Sequence, residues 1–331
     1  MMTRRQLLGS LVAAGAGRAL GTPSPASAEP PPETRRLRLV QTPSMCQAPQ
    51  YVAEDLFQAE GFDVEYLRKE GPQDIVEALA SGEADINLHF SARLVASLDR
   101  GAPLLILAGV HPGCYELFTA QPLRTLRELK GKSVGIRALG GPEHVFLTSM
   151  AAHVGLDPAK DITWVTYPAA KSMELLAQGK IDAFLGFPPD PQELRARKVG
   201  HVLVNSNVDR PWSQSFCCMV AANREFVRRN PVATKRALRA LLKATDVCAV
   251  APDRASRELV DRGRTRSYDL VRQVLKDISY DRWRDYNPED TLRFYALRLR
   301  EAGMITSTPQ KIIAEGADWR FLNELKKELK G

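Results

Sequence analysis

The chain carries only five cysteines and five histidines in 331 residues, and no long uncharged apolar run follows residue 28. A membrane span needs about 20 consecutive apolar residues, so that absence excludes a bundle of membrane helices. No dense Lys/Arg stripe with interleaved aromatics is present, which argues against nucleic acid as a partner. No GxxxxGK[ST] occurs, and with it goes the usual phosphate cradle. No repeat of solenoid length appears either. What remains is ordinary: 44% hydrophobic and 26% charged residues, close to globular averages. The length suits two lobes of common domain size.

The N-terminus reads as an export leader. Arg4 and Arg5 precede a short apolar run, Leu7 to Ala16, and small residues at Ala26 and Ala28 fit a signal peptidase, predicting cleavage after Ala28. The paired arginines, with Arg18 beyond the apolar run, resemble the twin-arginine signal, which exports folded proteins. An ordinary secretory signal is the alternative. Both place the mature chain in the periplasm as a soluble protein, and no cysteine at the cleavage point offers a lipid anchor. Removing the three leader arginines lowers the formal net charge from +7 to +4, a mild excess.

A proline-rich tether, residues 29–36, leads into alternating Arg36-Leu37-Arg38-Leu39-Val40, a first strand. Strands then alternate with helices of about ten residues, including a helix from about Pro72 to Ala80 and a strand at Ala84 to Leu88. The same grammar restarts at Leu126 and runs to Leu185; a strand at Phe216 to Ala221 carries the chain back, and Asn230 is expected to cap the helix that follows. The remaining segments read as amphipathic helices. This pattern predicts an α/β, two-lobed periplasmic-binding-protein fold with mixed, mostly parallel sheets, a hinge and a helical C-terminal tail. The expected division is 37–118 and 217–331 for lobe 1, and 119–216 for lobe 2. In such sheets ligands collect at the carboxyl ends of strands.

Three segments carry a family resemblance. They are Leu39 to Gly61, the step Glu77-Ala78-Leu79-Ala80-Ser81-Gly82-Glu83-Ala84-Asp85 that recurs from Glu174 to Ala183, and Leu126 to Gly135. Gly82 and Gly179 each close a helix where positive φ is needed. In this order the segments resemble the nitrate/sulfonate/taurine-type substrate-binding proteins of ABC importers, including relatives that bind the thiamine pyrimidine precursor. The resemblance implies a monomer without chemistry or cofactor of its own. It also implies a small-molecule ligand (a sulfonate, pyrimidine or aromatic acid) held between closing lobes and passed to an ABC permease with its ATPase. It further implies a cleft formed by Met45, Cys46 and Gln47, by Phe90 and Ser91, by Cys114, by Phe187 and Pro188, and by the edge residue Trp212. Gly140, Gly141 and Pro142 would present backbone N–H groups from a helix start.

The cysteines at 46, 114, 217, 218 and 248 show no metal-ligand spacing and read as separate small buried hydrophobes, with no metal expected. A thiol cluster touching ligand or a soft metal is the competing reading. Cys217 and Cys218, adjacent on a strand, are expected to point to opposite faces. His89 and His144 fall beside predicted cleft loops. Two other functions stay open. One is an enzyme like the thiamine-pyrimidine synthases, whose cysteine-rich motif Phe216-Cys217-Cys218 only faintly echoes. The other is a ligand-sensing module for a membrane receptor.

Overall fold

The computed structural model describes residues 29–68 and 74–330. The expected leader, residues 1–28, and the expected helix start at Pro72 lie outside the described residues. Among those described, no helix is long and apolar enough to cross a membrane.

Strand β1 (Arg36–Gln41) buries Leu37 and Leu39, and it pairs in parallel with β2 (Asp63–Arg68) across the crossover helices α1 (Pro49–Val52) and α2 (Glu54–Ala59). Helix α3 (Asp74–Ser81) leads to β3 (Ile86–Phe90), and α4 (Ser91–Asp99) to β4 (Leu104–Pro112). The chain then builds a second sheet from β5 (Glu116–Thr119), β6 (Lys132–Ile136), β7 (Ile162–Thr166), β8 (Ala183–Gly186) and β9 (His201–Asn205), in the order β7-β6-β8-β5-β9. Helices α5 (Pro142–His153), α6 (Ala169–Ala177) and α7 (Asp190–Ala196) follow β6, β7 and β8. Strand β10 (Phe216–Asn223) returns to lie between β3 and β4.

Parallel and antiparallel ladders are both present. Their division is physical: β5 and β10, the strands where the chain changes sheets, run antiparallel to every neighbour, while β1-β2, β6-β7 and β6-β8 are parallel. Gly82 and Gly179 close their helices at φ of 78° and 66°, as expected of helix ends without a Cβ to clash.

The tail is helical: α8 (Arg224–Arg229), α9 (Pro231–Val250), α10 (Pro252–Asp261), α11 (Tyr268–Asp277), α12 (Pro288–Glu301), α13 (Pro309–Gly316) and α14 (Arg320–Glu328). One local expectation is corrected. Asn230 does not cap α9; its amide donates to the Phe226 carbonyl oxygen, and the free N–H groups of Val232 and Ala233 go to the Glu33 carboxylate at 3.0 and 2.9 Å. A charged acceptor that satisfies two donors at a helix start outcompetes a single amide oxygen. The expected tether is thereby fastened to the tail.

Candidate ligand-binding site

The best-enclosed cavity, about 200 Å³, sits at the carboxyl ends of β1, β3, β6 and β8. Its floor and one wall come from the segment after β1, Gln41 to Ser44 with Cys46 and Gln47. Pro49 starts a helix here because its missing N–H would be unpaired anyway. That leaves Met45–Gln47 as a short 3₁₀ turn facing the cavity side. Its hydroxyls are held in place: Thr42 Oγ1 accepts from the Ser44 N–H at 3.1 Å, and the Tyr51 hydroxyl accepts from the Thr42 N–H at 2.7 Å.

Phe90, Tyr115 and Phe187 form an aromatic wall, with ring centroids 4.9 Å apart for Phe90–Tyr115 and 5.8 Å for Tyr115–Phe187. Aromatic faces of this kind stack on planar ligands. His89, from the end of β3, also lines the cavity, and neither ring nitrogen has a hydrogen-bond partner. Burial, with the nearby Arg93 charge, pulls its pKa down to about 4, so the imidazole is neutral and offers one donor and one acceptor. Gln47 Oε1 is likewise buried and unpartnered.

The cavity's one cationic side chain among the described lining residues is Arg137, after β6. Its guanidinium bonds Glu143 on α5 and Asp190 on α7, and it stacks 4.0 Å from the Phe187 ring centroid. Two carboxylates thus share one guanidinium. Burial opposes both charges of the Arg137–Asp190 pair: it raises the Asp190 carboxyl, while the two acids hold the guanidinium charged against the same penalty.

Four of the five cysteines converge beside this cavity, which spacing alone did not reveal. Cys46 Sγ lies 3.9 Å from Cys218 Sγ, and Cys114 Sγ lies 2.9 Å from Cys217 Sγ. His111 stands among them. Its Nδ1 lies 2.7 Å from the Pro112 carbonyl oxygen and therefore carries a proton; burial works against the imidazole's charge, but Cys218 and the backbone hydrogen bonds raise its pKa. Cys46, His111 and Cys218 form one three-donor set, and His111, Cys114 and Cys217 another; either could hold a thiophilic metal ion. The expectation that Cys217 and Cys218 face apart is corrected. The β10–β4 register shifts between Phe216 and Cys218, and such a bulge re-aims the side chains. The Cys218 thiol is held well below its ordinary pKa by hydrogen bonds from Cys114, Cys217 and Cys46. Cys248 lies apart on α9, and burial pushes its thiol up.

Of the residues expected at a cleft, Cys46, Gln47, Phe90, Cys114, Pro142 and Phe187 line this cavity. Met45 and Pro188 stand at its edge, bonded N–H to carbonyl at 3.1 Å. Ser91 is turned away: its hydroxyl donates to the carbonyl oxygens of Phe216 and Cys217. Gly140 and Gly141 do not aim their N–H groups at the cavity, since these go to His144 Nδ1 and the Ala138 carbonyl oxygen. His144 packs on Trp164, and Trp212 is buried against Phe146, His153 and Phe294. Sequence reasoning missed Arg137, Tyr115 and His111 in the site. Arg137 had a signal: it follows β6 as Thr42 follows β1, at a parallel strand's carboxyl end.

Three sheets, of two, three and five strands, with the chain crossing to the five-stranded sheet after β4 and back at β10, and a cavity at the strand ends match the periplasmic-binding-protein fold. Two solved structures share it. One is the periplasmic nitrate-binding protein NrtA from Synechocystis PCC 6803, with a TM-score of 0.75 at 18% identity over 91% of this chain and 90% of that one. The other is the alkanesulfonate-binding protein SsuA from Xanthomonas axonopodis pv. citri, with a TM-score of 0.69 at 17% identity over 87% and 99%. Residues 46–255 match the model of the "NMT1/THI5 like" family, and the chain belongs to that family. Among curated relatives, the 4-amino-5-hydroxymethyl-2-methylpyrimidine phosphate synthase THI13 of Saccharomyces cerevisiae is 26% identical over 241 residues, 69% of this chain and 67% of its own.

Proposed function

We propose that the chain is the exported substrate-binding component of an ABC importer, and that its ligand is a small uncharged ring compound of the pyrimidine class. In this reading 37–118 with 217–331 and 119–216 are lobes that close over the ligand and present it to a permease with its ATPase. The fold shared with nitrate- and sulfonate-binding proteins supports the transport role.

One observation carries the ligand class: Arg137 already faces two carboxylates. A site built for a sulfonate or an aromatic acid leaves its cation free to meet the anion. Here the Arg137, Glu143 and Asp190 group has no charge to spare. The unpaired groups that remain in the lining are neutral, His89 and the Gln47 oxygen. A planar heterocycle with donor and acceptor on one edge satisfies both, whereas an occupant without them leaves buried polar atoms unmet. The small volume restricts the occupant to about one ring with its substituents.

Native mass spectrometry of purified protein, followed by thermal-shift screening of pyrimidines, alkanesulfonates and aromatic acids, tests this. A retained ring compound and stabilisation by pyrimidines support it. Stabilisation by sulfonates alone contradicts it.

A second reading, an enzyme on this fold, draws on the yeast relative, a pyrimidine phosphate synthase at 26% identity. Turnover of a pyrimidine precursor by the purified chain would support it, and binding without turnover would speak for transport.

A further inference from the structure

We propose that Cys114 and Cys217 form a reversible disulfide that ties together the two places where the chain crosses between sheets. The cellular setting rests on the export reading above, because oxidising compartments are where such bonds persist. The chemistry rests on the structure alone.

The two Sγ atoms stand 2.9 Å apart, against about 2.0 Å in a disulfide, so a small side-chain rotation closes the gap. Both residues belong to the crossings. Cys114 lies between β4 and β5, and Cys217 at the start of β10, on its return from the second sheet. The crossings already lie backbone against backbone at this point. A Cβ added to Gly113 would come within 2.0 Å of the Ser206 carbonyl oxygen, and Ser206 bonds Tyr115 through both its N–H and its hydroxyl. Cross-linking therefore fixes a contact that exists rather than making a new one.

A route for the oxidant is present. Cys114 lines the ligand cavity and also a separate polar crevice bounded by Gly113, Gln192 and Asn207. Cys114 itself is only 6% exposed, so a disulfide reaches it as the cavity or the crevice opens. Cys217 lines neither, so it is the resolving partner. Burial pushes the Cys114 and Cys217 thiols well up, so each must give up its proton before it attacks. In the first step Cys114, once deprotonated, attacks one sulfur of an incoming small-molecule disulfide; that S–S bond breaks, one thiol leaves, and a mixed disulfide remains on Cys114. In the second step the Cys217 thiolate attacks the Cys114 sulfur, and the second thiol leaves. Two cysteine thiols are oxidised, the incoming disulfide is reduced to two thiols, and the two protons depart on them. The bond closes a loop of 103 residues that contains the whole second sheet, and it limits how far the crossings separate.

The test is peptide mapping of the purified full chain after incubation with oxidised glutathione, with remaining thiols alkylated in denaturant. The expected result is loss of two of the five thiols, one Cys114–Cys217 peptide pair, and reversal by dithiothreitol. The oxidised form should also melt several degrees above the reduced form, since a long loop is closed in the unfolded chain. C114S and C217S should lose both the pair and the shift, and C248S should keep them. Five titratable thiols after oxidation would overturn the proposal. So would pairing of Cys46 with Cys218 instead, or protection reversed by a chelator rather than a reductant, which would make the cluster a metal site. The mapping on the parent chain decides even where a variant fails to fold. It needs neither ligand nor export, so its failure and a failure of the proposed function are separately visible.

Discussion

The backbone N–H of Met45 donates to the carbonyl oxygen of Pro188 at 3.1 Å, joining the segment after β1 to the segment after β8 across the edge of the cavity. A second set of contacts reinforces it. Asp277, at the end of α11, accepts from Arg195 and from Gln192 at 2.9 Å, both on α7, and its carbonyl oxygen accepts from Asn207. Charge-assisted hydrogen bonds contribute about 1.5–3 kcal/mol each when both partners stay in place.

Removing that carboxylate should loosen the contact between α7 and α11. Asp277→Ala is expected to speed ligand dissociation by roughly tenfold, equivalent to about 1.4 kcal/mol, while association changes little. Stopped-flow fluorescence with the ligand from the thermal-shift screen measures it. An unchanged dissociation rate would show that α7 and α11 separate without cost.

Arg137→Met should destabilise the fold by about 3–5 kcal/mol near neutral pH, because Glu143 and Asp190 are left buried without their cation. Protonating Asp190, whose carboxyl burial already pushes up, relieves part of the penalty. The gap between parent and variant, read from urea melts, should therefore narrow between pH 7.5 and pH 5. A gap independent of pH would mean that the carboxylates find other partners.

His89 gives a pH dependence of definite sign. Its pKa falls from the ordinary 6.5 to about 4 on folding. Between those values the unfolded chain binds more protons, so stability rises with pH there. The contribution is complete above about pH 6.5 and is lost as pH falls towards 4, about 3 kcal/mol in all. His89→Phe removes that slope, so the parent should lose more stability than the variant between pH 7 and 4.5. The same substitution should weaken binding of a donor–acceptor ligand by tenfold or more, since it deletes both ring nitrogens. Parallel pH profiles for parent and variant would contradict the neutral, buried imidazole.

Ser91→Ala separates support from contact. The Ser91 hydroxyl bonds two carbonyl oxygens of β10, so its loss should cost about 1–2 kcal/mol of stability. Ligand affinity, by calorimetry, should stay within about twofold. A larger drop would mean that Ser91 reaches the ligand after all.

These residues also show what a single sequence discloses. The alternation of Leu37 and Leu39, and the helix–Gly steps at Gly82 and Gly179, are local, and they fixed the strand–helix grammar before any contact was known. Strands β5 and β9 were not legible. Neither is followed by an α-helix that would mark a crossover unit, unlike the equally short β6, β7 and β8. The capping of α9 was misread because its acceptor, Glu33, is about 200 residues away. Half of the expected cleft residues line the cavity, since a loop after a parallel strand is bound to lie at that end of the sheet. The thiol cluster depends on a bulge in β10 and on three separate segments meeting, and neither is visible in spacing. Arg137 stood at a strand end, but its pairing was not legible, because its two acids come from different helices.

The most direct measurement is calorimetric titration of refolded, ligand-free protein with an aminopyrimidine and, separately, with an alkanesulfonate. One site per chain, filled by the uncharged ring compound and weakened in His89→Phe, is the predicted result. Tighter binding of the sulfonate, insensitive to His89, would contradict the reading of a cavity whose only described cation is already spoken for.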